Sequence, residues 1–377
     1  MKPSVILLVC GRFHYHKYLH LLAEKQLLKR FIYSYKMDYD FGVDRRYLKN
    51  LPIKEYAMYA GARLLKGKLF YKYLTMLHNI WQWQAKRLKP EGNIVHFLIH
   101  GNCSQIIQQY KAEGITVIGE VVNAHPAVQE QLLTKEYAMH QRSYEYGEKL
   151  FKEKIVQEYM LCDYLLVPSA FIKQSLVAYG IESSKIKVLP YGLDLAERTK
   201  DTLPIQRKAV IQLLYVGQIS FRKGVIYLLK ALPLLRQKGI HFHLTLVGHI
   251  DKEYKQVIQP YLTDKNITHI THVVNSEIYE LMRQQDLFVM PSIEDGFGVV
   301  VAEALSVHLP VIVTSNCGAS EIVTNGENGF VIDAFSEMAI CNTIVQSINY
   351  CFCFKQEPAS WKEYVAQLEQ FYVEVLN

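Results

Sequence analysis

Between Leu287 and Val331 two apolar runs alternate with two glycine-bearing loops, and few folds accept that order. Leu287–Met290 is a short apolar run stopped by Pro291, as in a strand covered on both faces of a parallel sheet. Glu294-Asp295-Gly296-Phe297-Gly298 forms a turn, Val299–Ser306 can form a helix carrying Glu303, and Val311–Thr314 reads as the next buried strand. A further loop with Gly318, Gly326 and Gly329 closes the stretch. In open α/β sheets ligands sit beyond the carboxyl ends of the strands, and this turn lies there. The helix that begins after Gly298 offers free N–H groups to an anion. Asp295 and Glu303, eight positions apart, supply carboxylates suited to paired sugar hydroxyls. The same two acids also suit a helix cap and a solvated side chain.

The rest of the chain agrees with an α/β reading. Its 377 residues suffice for two domains with separate cores. Half of the residues are hydrophobic and 21% are charged, which excludes a disordered chain. Seven cysteines without CxxC or Cys/His spacing exclude a zinc ribbon and a complete disulfide framework. Ser4–Cys10 is too short for a signal peptide and reads as the first strand, so a cytoplasmic protein is expected. Gly11 follows it, where such folds keep a ligand-approach loop. Phe31–Ser34, Ile94–Leu98, Thr116–Val121, Tyr164–Val167 and Lys187–Leu189 are further strand candidates, with helical patterns between them. Residues 195–209 are polar and aperiodic and make a linker. Leu213–Val216, His241–Val247 and Ile267–Val274 open a second sheet, and Trp361–Leu376 is the last helix.

Asp38-Tyr39-Asp40 has the outline of a metal-binding Asp-x-Asp, but it stands in a polar loop without a third ligand and reads as surface. Residues 52–89 are the most unusual part of the first half. Lys54, Arg63, Lys66, Lys68, Lys72, Lys86, Arg87 and Lys89 alternate with Tyr, Phe, Trp and Leu. Residues 1–90 hold 18 Lys and Arg against 5 Asp and Glu. Two readings stand for 52–89: helices lying in an anionic membrane interface through Lys66, Lys68 and Lys72, or amphipathic helices packed on the sheet. Gly61 and Gly67 weaken one continuous helix. No nucleic-acid-binding module accompanies the charge.

The stretch 287–331, together with Gly217-Gln218-Ile219-Ser220-Phe221-Arg222-Lys223-Gly224, resembles the donor-binding signature of retaining GT-B glycosyltransferases of family 4. There a Glu-x7-Glu pair surrounds a Gly-Phe-Gly turn. The resemblance covers most of residues 95–335. It implies two Rossmann-like domains facing across a cleft: an acceptor-side domain at 1–194, a donor domain at 210–355, and a C-terminal helix at 356–377 that crosses back. It implies a hexosyltransferase that moves a sugar from a UDP- or GDP-type donor to a glycan, lipid-linked or other acceptor, in polysaccharide or glycolipid synthesis, without a metal or other cofactor. Lys223 takes the position that holds the donor diphosphate, and His125 the position beside the reacting sugar. Ile267–Val274 passes the nucleotide base. Two positions depart from the pattern. Gln218 stands where the family has arginine, leaving Arg222 as a substitute, and the first acid is Asp295 with Glu294 just before it. His96, His100, Glu120, Glu130 and Glu136 are secondary candidates. A sugar-nucleotide epimerase, a phosphorylase and a non-catalytic nucleotide-sugar binding subunit are the alternatives on the same architecture.

Overall fold

A computed structural model describes residues 1–11, 13–35, 40–65, 67–89, 91–144, 149–194 and 209–377. Arg12, Asp38, Tyr39, Lys66 and all of the expected linker except Ala209 lie outside these residues, and the side chains of Arg63 and Lys68 are likewise not described. Two parallel sheets carry the fold. The first contains β1 (Val5–Val9), β2 (Leu28–Tyr33), β3 (Leu48–Asn50), β4 (Ile94–Leu98), β5 (Thr116–Glu120), β6 (Tyr164–Val167) and β7 (Ile186–Val188), in the order β3-β2-β1-β4-β5-β6-β7. The second contains β8 (Ile211–Val216), β9 (Phe242–Val247), β10 (Ile267–Ile270), β11 (Leu287–Met290), β12 (Val311–Thr314) and β13 (Gly329–Ile332), in the order β10-β9-β8-β11-β12-β13. All residues of β1, β4, β11 and β12 are buried, because helices cover both faces of each sheet.

Strand order reverses at β1, which pairs with both β2 and β4, and again at β8, which pairs with both β9 and β11. Crevices open at such reversals, beyond the carboxyl ends of the strands. In the second sheet the flanking loops are Gly217–Gly224 after β8 and Pro291–Gly298 after β11, so topology alone brings the two motifs together. β3 was not expected from the sequence: three residues with Lys49 in the middle give no apolar run, and they form an edge strand beside β2. β10 ends at Ile270, four residues before the expected limit, and Thr271–Val273 continue as a loop.

Residues 52–89 form two helices, Ile53–Leu64 and Gly67–Lys86, in place of one. The second drives Trp81 and Ala85 into the core of the first sheet. The final helix, Trp361–Glu374, begins with a capping box between Ser360 and Glu363. It buries Tyr364, Leu368 and Tyr372 in the first sheet's second core, returning to the first domain as expected. Tyr372 meets the buried pair His96–Glu120 there, donating or accepting at His96 Nδ1 over 2.7 Å.

Gly192 is what admits this helix: a Cβ there would lie 2.6 Å from the Trp361 amide nitrogen and 2.7 Å from the Ser360 carbonyl. Both neighbours are backbone and have nowhere to retreat. Gly192→Ala is therefore expected to cost about 2–4 kcal/mol. Urea unfolding measures the loss, and amide exchange should quicken across 361–374; an unchanged midpoint would show that the helix docks without this contact.

Candidate functional site

A cleft of about 970 Å³ lies between the carboxyl edges of the two sheets. Gly217, Gln218, Lys223, Asp295, Gly298 and Glu303 line it from the second domain, and Phe13, His16, Lys17 and Val122 from the first. Lys223 ends a 3-10 turn, Phe221–Lys223, that leads into helix Val225–Gln237. Gly224 follows with φ +60°, and a Cβ there would stand 2.2 Å from the Pro291 carbonyl. Only glycine allows both the left-handed turn and this approach, which brings Lys223 against the acidic turn.

Two ion pairs then lace the loops together. Lys223 pairs with Asp295, and Arg222 with Glu294 at 3.2 Å. The Arg222 carbonyl also accepts the Ile293 amide at 2.9 Å. Burial opposes the charge on Asp295, but Lys223, Arg222 and hydrogen bonds from Lys223 and the Phe297 amide hold its pKa below the ordinary carboxylate value. Asp295 is thus an anion facing the cleft beside a buried ammonium.

Glu294 does something different. It is fully buried and points away from the cavity, toward the first domain. Its carboxylate accepts the Ala124 amide at 3.1 Å and the Gln129 side chain at 2.9 Å, besides Arg222. Of the two adjacent acids, Asp295 lines the cleft and Glu294 ties the domains. Gly296 adds to the tie, since its Cβ would fall 1.9 Å from the Val122 carbonyl, and its own carbonyl accepts Ser169 Oγ at 2.8 Å. Phe297 packs against Tyr191 of the first domain, ring centroids 5.5 Å apart. Gly298, at φ +77°, starts helix Val299–Ser306, and Val299 and Val300 of its first turn lie in the cavity wall.

Glu303 lies one turn further on, in the cavity wall. Burial raises its pKa, Lys17 draws it down, and Asp194 raises it again. Lys17 itself is ion-paired with Asp194. Gln218 donates to Asp251 at 2.6 Å and brings no charge. Arg222 does not line the cavity, and among the described residues the lysine that joins Lys223 in its wall is Lys17, from the opposite domain. Sequence reasoning missed Lys17 and His16. Their signal was the run Phe13-His14-Tyr15-His16-Lys17 just after Gly11, at the carboxyl end of the first strand.

His125, expected beside a reacting sugar, is not among the residues that line this cavity. Pro126 opens helix Pro126–Met139, and His125 serves as its N-cap, Nδ1 accepting the Ala127 amide at 3.2 Å. That role turns the ring onto Tyr179, stacked at 4.3 Å. Burial, with Lys152 nearby, lowers its pKa to about 4. Val122 lines the cleft from this loop instead. Gly11, at φ +137°, lines a smaller adjoining pocket with Phe13, His16, Tyr33 and Tyr35. His100 is likewise absent from the cleft wall, Glu120 accepts Tyr191 OH at 3.0 Å, Glu130 pairs with Lys152, and Glu136 accepts Tyr227 OH at 2.7 Å. Glu120 thus serves the core and Glu136 the domain contact, while Glu130 makes a partly exposed pair within the first domain.

Glu294→Ala would remove the tie between Ala124, Gln129 and Arg222 and strand a half-buried guanidinium. A loss of about 2–3 kcal/mol is expected in urea unfolding. A variant as stable as the parent would show that Glu294 contributes nothing to the domain contact.

Comparison with known proteins places these features. Residues 200–366 match the family model described as Glycosyl transferases group 1. The D-inositol 3-phosphate glycosyltransferase of Pseudarthrobacter chlorophenolicus is 31% identical over 167 residues, 41% of this chain and 40% of that protein. The capsular polysaccharide biosynthesis glycosyltransferase CapM of Staphylococcus aureus is 33% identical over 138 residues, 36% of each chain. The matched segment thus spans about two fifths of these relatives. Among solved structures, sucrose-phosphate synthase from Thermosynechococcus elongatus superposes over 99% of both chains with a TM-score of 0.70 at 16% identity. Anabaena HepE in complex with UDP-glucose does so over 99% of both chains with a TM-score of 0.61 at 16% identity. The chain therefore has the GT-B fold, with two facing doubly wound domains and a returning C-terminal helix, and its second domain carries the match to the Glycosyl transferases group 1 model.

Proposed function

We propose that the protein is a retaining glycosyltransferase that moves a sugar from a UDP- or GDP-type donor to a glycan or lipid-linked acceptor, in polysaccharide or glycolipid synthesis. It would act in the cytoplasm, at the inner face of an anionic membrane. The observation that carries this reading is the convergence of Lys223, Asp295, Glu303 and the amides after Gly298 on one cleft, within the segment that matches the family model. HepE, which shares the fold, binds UDP-glucose.

The chemistry follows from the parts. A donor diphosphate would draw Lys223 away from Asp295 and lie against the first amides of helix Val299–Ser306, which stabilise charge developing on the leaving group. A unit charge about 4 Å from a phosphate is worth about 4 kcal/mol at an effective dielectric near 20. These groups supply the counter-charge, and the proposal calls for no metal. Asp295, freed from Lys223, and Glu303 would accept from sugar and ribose hydroxyls and fix the anomeric carbon. Thr271–Val273, in the cleft wall, would meet the base. Lys17 would add a cation from the acceptor side.

One observation favours a second reading. Lys223 and Gln218 are both engaged, with Asp295 and Asp251, and His125 does not line the cavity. Such a site suits a subunit that binds a nucleotide sugar without transferring it. Incubation with a panel of UDP- and GDP-sugars, with and without a membrane extract, separates the cases. Nucleotide release that requires the extract supports transfer. Binding without turnover supports the second reading, an altered sugar without acceptor indicates epimerisation, and sugar phosphate formed from inorganic phosphate indicates a phosphorylase. Glu303→Ala should weaken donor binding about 10- to 100-fold by calorimetric titration, in line with a charge-assisted hydrogen bond; an unaltered affinity would remove Glu303 from the donor site.

A further inference from the structure

We infer that the helices Ile53–Leu64 and Gly67–Lys86 together form a surface that docks flat on an anionic lipid bilayer, with apolar side chains entering the headgroup layer. The expectation from sequence rested on Lys66, Lys68 and Lys72; Lys72 belongs to this mainly apolar face, while Lys66 and the Lys68 side chain lie outside the described residues. On the first helix Ile53, Tyr56, Tyr59 and Leu64 are 53%, 56%, 53% and 83% exposed. At about 100° per residue they fall within an arc of about 140°. Inward-facing Lys54, by contrast, is 4% exposed. On the second helix Leu69, Met76 and Trp83 are 60%, 48% and 53% exposed, and Lys72 and Arg87 are exposed with them. These five fall within about 60°, a stripe about 27 Å long. The Arg87 guanidinium lies 3.6 Å from the centre of the Trp83 ring.

A helix that buries one face in a core normally shows polar residues on the other. Here the outer faces of two packed helices show large apolar and aromatic side chains spaced by single cations. An interfacial helix has that composition: aromatic and aliphatic groups at the acyl boundary, Lys and Arg at the phosphates. The charge identifies the partner. Glu55 is the sole acidic residue between positions 45 and 90. Its carboxylate is taken by Lys54 at 2.5 Å and Ser34 Oγ at 2.8 Å, so it does not oppose an anionic surface. Residues 1–90 carry 18 basic side chains against 5 acidic ones, which disfavours a second copy of the same basic face and favours lipid phosphates. No described helix is long and apolar enough to cross a membrane, and this face lies on the surface instead.

The surface adjoins the cleft. Asn50, just before the first helix, exchanges two hydrogen bonds of 3.0 Å with the Tyr35 backbone, and Tyr35 lines the small pocket that shares Phe13 and His16 with the cleft. An acceptor held in the bilayer would therefore enter beside the donor. This last point rests on the glycosyltransferase reading; the docking surface does not.

Cosedimentation with vesicles tests it, using phosphatidylcholine alone and phosphatidylcholine mixed with phosphatidylglycerol. The protein is expected to sediment with the mixed vesicles, less so as salt rises. A Tyr59→Ser, Leu64→Ser, Trp83→Ser variant and a Lys72→Glu, Arg87→Glu variant should each lower the partition coefficient by about tenfold or more. Both should keep the parent's melting temperature and UDP-glucose affinity, because all five side chains are exposed and none of them lines the cleft. Parent protein left in the supernatant, or variants that sediment like the parent, would overturn the inference. So would a concentration-dependent dimer that the triple serine variant dissociates, since the occupant would then be a second copy. Vesicle binding without any nucleotide-sugar binding would defeat the donor reading and leave the surface standing; donor binding without vesicle binding would do the reverse.

Discussion

The site depends on a pair of neighbouring cations facing a pair of neighbouring acids. Arg222-Lys223 and Glu294-Asp295 meet so that one ion pair faces the cleft and the other faces the domain contact. Adjacent side chains in a turn diverge, so two consecutive residues can serve two compartments. Neither pair is a strong argument for stability alone, because desolvation offsets much of the Coulomb attraction. Their value is positional. Glu294 fixes the turn against the first domain, which leaves Asp295 and Lys223 with one orientation toward the cavity. On the proposed function, a donor phosphate would find there a cation whose present partner it can replace.

The sheet architecture was legible in the sequence because buried parallel strands are short apolar runs with abrupt ends. Leu287–Met290 and Val311–Thr314 match their expected limits for this reason, as does Ile94–Leu98. Leu48–Asn50 escaped notice because an edge strand needs no apolar run. The meeting of the two glycine-bearing loops was legible as well, since glycine spacing reports close backbone approach. Side-chain direction was not. Nothing in the order Glu294-Asp295 tells which acid turns inward, and that choice is made by Ala124, Gln129 and Arg222, which are remote in sequence from it. The same limit explains His125. A histidine before Pro126 can cap a helix or face a cleft, and Tyr179, more than fifty positions away, provides the surface that receives its ring.

The two domains exchange more than the final helix. Leu133 of helix Pro126–Met139 belongs to the core cluster of the second domain, and Phe297 and Ala302 of the second domain belong to a cluster of the first. Each half therefore completes its core with residues of the other. The helices Ile53–Leu64 and Gly67–Lys86 contribute no residue to either of these two clusters among the described residues; the second packs into another core of the first sheet through Trp81 and Ala85.

Gly296 has a consequence for how such a chain could be recombined. Its α-carbon meets the Val122 carbonyl so closely that no side chain fits between them. An acceptor half taken from another protein with this architecture would have to present a carbonyl at the same spot, whatever its sequence. Backbone shape, more than residue identity, is then the interface that a grafted partner must reproduce, and chimaeras should be chosen by the path of the loop after β5.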